Sequence, residues 1–240
     1  MKVEIWSDVV CPWCYIGKRR FEAAVATFPH RDQVEVEWKS FQLDPHASSA
    51  AADRPAGEPG YAERLAAKYG TDVAGARQMI DTMTAQAAGE GLAFRFDRAV
   101  RANTFDAHQV INLAGRHGVQ DAVKERLLRA YFTEGEAVGD RATLVRLAAE
   151  AGLDAAEVRA ALDEQRHADA VRADEAEAAA LGIRGVPFFV VDRRYGVSGA
   201  QPTDLLRQVL DRAWSERAPL ITVTGGRADG CGPDGCAVTP

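Results

Sequence analysis

The sequence predicts an α/β fold in which a β-α-β unit at the start and a β-β-α unit near the end form one sheet, interrupted by a large all-helical insertion. Three observations carry this expectation. Strand-like runs cluster towards the two ends of the chain, and residues from about 61 to 181 place their apolar side chains at helical spacing. Neither end alone holds enough strands to cover both faces of a sheet, so the two must pack together.

Val3 to Trp6 reads as a short buried strand, and Cys14 to about Phe28 as a helix with Phe21, Ala24, Val25 and Phe28 on its inner face. Val34-Glu35-Val36-Glu37-Trp38 alternates apolar and charged residues, the period of a half-buried strand. Residues 45 to 60 are rich in Ala, Ser, Pro and Gly without periodicity and read as a linker or crossover loop. Beyond it, Leu65, Met79, Met83, Val110, Leu113, Leu127, Leu144, Leu147, Val158 and Leu162 mark successive helices, broken only at Phe94-Arg95-Phe96. Strand signals return at Pro187 to Val191 and Tyr195 to Ser198, followed by an amphipathic helix from about Pro202 to Trp214. The remainder is rich in Ala, Gly and Asp and reads as a flexible tail. The expected organisation is a discontinuous sheet domain over residues 1–48 and 180–215, an inserted helical domain over 60–179, and a tail over 216–240.

With 240 residues, 47% of them apolar, the chain can bury a core without covalent staples, so its four cysteines are not needed to hold it together. A formal charge of −6 with no basic stripe argues against nucleic acid as a partner. No run approaches the roughly 18 consecutive apolar residues of a membrane span, and the chain enters its first strand without a leader-like segment. A cytoplasmic protein is the expectation. There thiols are mostly kept reduced, and closely spaced pairs point to redox catalysis or metal binding.

The first such pair is Cys11-Pro12-Trp13-Cys14, at the turn from strand to helix. Unsatisfied N–H groups at a helix N-terminus stabilise a thiolate and bring thiol pKa values to about 3.5–7.5. Cys11 is therefore expected to be the nucleophile, and Cys14, one turn further and more buried, the resolving thiol. Pro12 suits the first helical turn and keeps the sulfurs close, while Trp13 offers apolar surface to a substrate. Cys-x-x-Cys is also half of many zinc sites, but the remaining cysteines lie near the other end, and His30 and His46 lack ligand-like spacing. Redox work, without metal or organic cofactor, is the stronger reading.

The run Asp8-Val9-Val10-Cys11-Pro12-Trp13-Cys14-Tyr15-Ile16-Gly17, together with Asn103-Thr104, Ala107-His108 and Gly185-Val186-Pro187-Phe188-Phe189, resembles the DsbA-like thioredoxin superfamily and its FrnE-type branch. The resemblance covers nearly the whole chain. It implies a thioredoxin fold with a large helical insertion, thiol–disulfide exchange at the first pair, and a cis-proline loop at Val186-Pro187 offering main-chain hydrogen bonds to a substrate strand. It places the segment around Asn103 and His108 over the site, as candidate substrate-side residues. Protein or small-molecule thiols and disulfides, glutathione among them, become the expected partners. Some members carry a second pair like Cys231-Gly232-Pro233-Asp234-Gly235-Cys236, which implies an electron relay; idle tail thiols or a weak metal clip, taken together, weigh equally. Many related enzymes hold a buried acid six residues before the nucleophile, where this chain has Ile5, and Asp8 is the nearest acid instead. Asp8 by itself reads as a solvated cap or turn residue. Phe94, Phe96 and Phe105 read as core. The rival is a glutathione-dependent isomerase or transferase resembling the hydroxychromene-carboxylate isomerases and the kappa-class transferases. These commonly place a single Ser at the Cys11 position, and Cys14 is the feature that separates the readings.

Overall fold

Among the described residues four strands form one sheet around the strand that precedes the Cys pair, and helices pack against it. The computed structural model describes residues 1–47 and 60–217. Strand β1 (Lys2–Ser7) is followed by helix α1 (Pro12–Ala26), a 3-10 turn at Arg31–Gln33 and strand β2 (Glu35–Ser40). Helices α2 (Tyr61–Tyr69), α3 (Val73–Gly89), α4 (Phe105–Arg116), α5 (Gln120–Arg129), α6 (Arg141–Glu150), α7 (Ala155–Asp163) and α8 (Ala168–Ala180) come next, with a π turn at Ala130–Glu134 between α5 and α6. Strands β3 (Phe188–Val191) and β4 (Tyr195–Ser198) and helix α9 (Thr203–Ser215) close the described part.

The sheet order is β2-β1-β3-β4. β1 runs parallel to β2, with Ile5 opposite Trp38, and antiparallel to β3, with Ile5 opposite Phe189. A central strand has both faces covered, which explains why β1 is buried from Val3 to Ser7 rather than on alternate residues. Val3 and Ile5 point into the main core. Trp6 points the other way, packs with Ala178, Ile183 and Val190, and donates its indole N–H to the Asp174 carbonyl at 2.9 Å, so α8 covers that face.

The predicted helical stretch resolves into seven helices and a π turn because local signals cut it. Asp72, Asp140 and Asp154 cap α3, α6 and α7 by accepting from the N–H groups of Gly75, Thr143 and Glu157. Gly70, at φ +65, ends α2 in the left-handed conformation that a side chain resists. Phe94-Arg95-Phe96 lies in the α3–α4 connection, where the Arg95 N–H is tied to the Phe132 carbonyl. Phe94 and Phe96 are core, whereas Phe105 is half-buried beneath the Arg172 guanidinium.

One apolar core runs from β1, α1 and β3 into α4, α5 and α6, so the helices inserted between β2 and β3 do not bury a separate interior. Phe132 is its hinge point. It stacks on Phe94 at 4.6 Å and lies 6.3 Å from the Tyr15 ring of α1. Phe132→Ala is expected to destabilise the fold by about 3–5 kcal/mol, read from urea unfolding, because the cavity opens where both halves meet. A loss below about 1 kcal/mol would mean the site collapses without cost.

Candidate active site

β1 delivers the chain to the surface of the sheet and Asp8 turns it, the Cys11 N–H donating to the Asp8 carbonyl at 3.3 Å. Cys11 then occupies the N-cap of α1 in extended conformation, with Pro12 as the first helical residue. Cys14 follows one turn later, its N–H 3.0 Å from the Cys11 carbonyl. Both are free thiols, 3% and 1% exposed. Cys11 lines a cavity of about 920 Å³ together with Trp13, Tyr61, Met83, Tyr131 and Val186, and Cys14 does not. Trp13 is 37% exposed at its mouth.

The loop before β3 meets the thiol from the other side. Its Val186-Pro187 bond is cis, and the Cys11 thiol donates to the Val186 carbonyl at 3.5 Å. Gly17 permits this approach, since a Cβ there would lie 2.9 Å from Cγ of Pro187. A side chain on α1 at that position would push the proline loop off the helix.

The profile of the DSBA-like thioredoxin domain matches residues 2–211. The chain belongs to this family. A probable DsbA oxidoreductase from Streptomyces coelicolor is 49% identical, with all of both chains covered and a TM-score of 0.87. The uncharacterized protein YwbO of Bacillus subtilis is 26% identical, covering 87% of this chain and 94% of its own. The cytosolic disulfide reductase DsbM of Pseudomonas aeruginosa, solved with GSH, is 20% identical, covers 90% of this chain and all of its own, and has a TM-score of 0.61, a likeness of fold.

Within this DsbA-like domain the charge is not arranged as the helix terminus alone suggests. Burial pushes both thiols up, and two adjacent thiolates cannot coexist there. The Cys11 thiol is raised well above its ordinary value by its hydrogen bond to Cys14, by burial and by the charge on Cys14. Cys14 is lowered: burial opposes its ionisation, but the Cys11 hydrogen bond, the Lys124 charge and the nearby Ser7 hydroxyl outweigh it. Ionisation of either sulfur therefore opposes that of the other, with Cys14 the more readily ionised of the two.

Lys124, 1% exposed on α5, is the group the sequence reading missed. Its signal was present. It stands with Val123, Leu127 and Leu128 on the buried stripe of α5, where a lysine has no ordinary place. Burial pushes its pKa down to about 8, against the pull of Cys14, Asp8 and Cys11. Asp8 is wholly buried rather than solvated; it accepts from the Leu43 N–H at 2.8 Å and lies 3.3 Å from Nε2 of His108. Burial raises its carboxyl, but His108, the Leu43 N–H and Lys124 together hold it below the usual range.

His108 thus sits behind the dithiol, and neither it nor Asn103 lines the cavity. Asn103 accepts from the Phe105 N–H and donates to the carbonyls of Pro45 and Ala47, clasping the chain after β2. Ile5 lies in the core, so no acid of β1 faces the pair from that position. Cys231 and Cys236 lie outside the described residues. Among the described residues no group of three or more His, Cys, Asp or Glu is placed to hold a metal ion.

A lysine whose folded pKa lies below its unfolded value destabilises the fold fully below about pH 8, and the cost fades as pH rises towards about 10.4. Lys124→Met is therefore expected to raise stability near pH 7 by about 2–3 kcal/mol, with the gain shrinking towards about pH 10. Urea unfolding of both proteins across that window checks it; an equal or falling difference near pH 7 refutes the burial cost.

Proposed function

We propose that the protein is a cytoplasmic thiol–disulfide oxidoreductase in which Cys11 attacks and Cys14 resolves. The observation that carries this is the asymmetry of the pair: Cys11 lines the large cavity, and Cys14 does not. As a substrate disulfide reaches Cys11, the Cys11 thiol loses its proton, a bond forms between its sulfur and one substrate sulfur, and the other substrate sulfur leaves and takes up a proton. Cys14 then loses its proton and attacks Cys11, closing the internal disulfide, and the second substrate sulfur leaves and takes up a proton. Two electrons pass from the pair to the substrate, and the reverse sequence oxidises a dithiol. The reduction potential against a glutathione buffer decides which direction operates.

Pro12, Trp13, Val186 and Pro187 form the rim on which the substrate lies. Once Cys11 is joined to substrate, the Val186 carbonyl loses its thiol donor and becomes free to accept from a main-chain N–H of a bound peptide. Small thiols such as glutathione are partners of the same site, supported by the fold shared with a disulfide reductase solved with GSH. That protein's cytosolic designation supports the location as well.

Cys11→Ser is expected to abolish insulin reduction while the protein stays folded, and Cys14→Ala to accumulate a mixed disulfide visible by mass spectrometry, since nothing releases the substrate from Cys11. Retained activity in Cys11→Ser sinks the reading. If Cys14→Ala accumulates no adduct yet the protein isomerises or conjugates substrates with glutathione, the transferase reading takes its place.

The FrnE-type likeness extends the proposal to Cys231 and Cys236 as a relay, on sequence grounds alone. Cys231→Ser with Cys236→Ser is expected to slow multiple turnover several-fold while leaving the single-turnover reaction at Cys11 unchanged. Equal rates in both regimes make the second pair a bystander.

A further inference from the structure

The cavity in front of Cys11 has a wall of its own, built by α2 and α3. Tyr61, Arg64, Leu65 and Lys68 of α2 all line it, at the i, i+3, i+4, i+7 spacing of a single helix face. Helix α3, against which α2 packs, adds Met79, Thr82 and Met83 at the matching spacing. Such a face ordinarily closes on a core. On α2 Ala66 alone is fully buried, and the apolar face is turned to the cavity instead.

Charge is the second observation. Among the described residues the cavity is lined by one carboxylate, Asp44, and three cations, Arg64, Lys68 and Arg101. Asp44 is matched by Arg101 at 2.7 Å, so Arg64 and Lys68 leave the lining cationic. Arg64 is half-buried, with its guanidinium 5.7 Å from the centre of the Tyr61 ring, and its charge works against the burial that pushes the Tyr131 hydroxyl up to about 12. In a chain of formal charge −6 this is a local reversal of sign. A cleft lined by one sign of charge concentrates ligands of the other. The volume of about 920 Å³ falls in the range of small-molecule sites, about 300–1,000 Å³. A polypeptide strand needs main-chain partners, which Val186 offers, and not an apolar chamber of that size.

We propose that the cavity selects small disulfides and thiols that carry a carboxylate on an apolar body, the sulfur at Cys11 and the carboxylate towards Arg64 and Lys68. The inference rests on the exchange function proposed above and names its substrate class. Leu65, Met79 and Met83 receive the apolar body, and methionine side chains adapt to ligands of irregular shape. Burial of that body supplies most of the affinity, because ion pairs at a partly open site are modest and screened by salt. The cations supply the choice between an acid and its uncharged counterpart, which makes Arg64 and Lys68 specificity-determining residues. Glutathione offers carboxylates to them, but its ammonium and peptide bonds offer little to the methionines, and it is the weaker occupant.

The test begins with a ligand that cannot exchange. Calorimetry on the full chain compares para-(benzylthio)benzoate with its carboxamide, an acid and an uncharged twin of the same apolar body. The acid is expected to bind about fivefold tighter or more at low salt, and Arg64→Gln with Lys68→Gln to bring the two within about twofold. Met79→Gln is expected to weaken both by a similar factor, about threefold, because it removes apolar surface that the two ligands share. Reactivity is read with reduced protein carrying Cys231→Ser and Cys236→Ser, from the aryl thiolate released by dithiobis-nitrobenzoate and by its dicarboxamide. Both meet the same sulfur, so a change in Cys11 itself cancels in the ratio of their rates. The α2 double variant is expected to lower that ratio about fivefold. Equal binding of acid and amide, or a ratio unmoved in the double variant, overturns the proposal. Insulin reduction slowed as much as the reaction with the dicarboxylate overturns it too, by giving the cations to a polypeptide, and S-benzylglutathione binding tighter than the benzoate overturns it in favour of a peptide thiol. Should the double variant fail to fold, the parent decides: an acid-over-amide preference unchanged between about 0.02 M and about 0.5 M salt overturns the proposal. A parent that binds the acid selectively but exchanges no disulfide would instead overturn the function, leaving the preference of the cavity standing.

Discussion

Two sulfurs one helical turn apart and almost wholly buried cannot both carry charge, and most of the site follows from that constraint. A thiolate in such surroundings is stable only if another group donates to it or a cation faces it. At Cys14 the Cys11 neighbour and the Lys124 charge lower the thiol against the burial that raises it. The consequence is a division of labour within four residues. The sulfur that opens on the cavity is the harder of the two to ionise, and the hidden one the easier.

Holding that arrangement requires α5 to stay against α1. Tyr15 donates to Glu125 at 2.6 Å, Lys18 lies 3.2 Å from Asp121 and 3.1 Å from Glu125, and Arg19 also reaches Glu125. Asp121 accepts from the Trp38 indole as well, so the same helix is tied to β2. Exposed ion pairs contribute little each, but Lys18 is buried among its acids, and a network that fixes one helix on another has a geometric role beyond its energy. The helices inserted between β2 and β3 therefore do more than roof the cavity. They bring a buried cation whose charge acts on Cys14, and the core that continues from sheet to α5 surrounds it.

What the sequence disclosed and what it withheld divide along the range of the interactions. The strands, α1, the Cys pair and the dry runs at Phe94 and Phe189 were legible because each is written in neighbouring residues: alternation, 3.6-residue spacing, a proline at the first helical position. Asp8 was misjudged by the same local rules, since an Asp ahead of a helix is ordinarily a solvated cap. Its burial comes from Leu43 and His108, far along the chain. The expectation of a low-pKa Cys11 was also local, built on the helix terminus, whereas Cys14 and burial push that thiol up. His108, expected on the substrate side, faces Asp8, and Asn103 clasps the chain after β2 beside the cavity-lining Ala47. The contact of α4 with β2, far apart in sequence, helps to set where His108 points.

A cation beside Cys14 has different physical consequences from a carboxyl group in that place. A carboxylate repels a thiolate and raises the thiol's pKa, whereas an ammonium attracts it and lowers it. In this chain the Lys124 charge lowers the Cys14 thiol against the burial that raises it, and Cys14 in turn supports a charge that burial disfavours on Lys124. A buried cation deprived of such a partner sheds its proton rather than bear the desolvation. The ionisation of a pair carried at the start of α1 is thereby tied to a group contributed by the inserted helices.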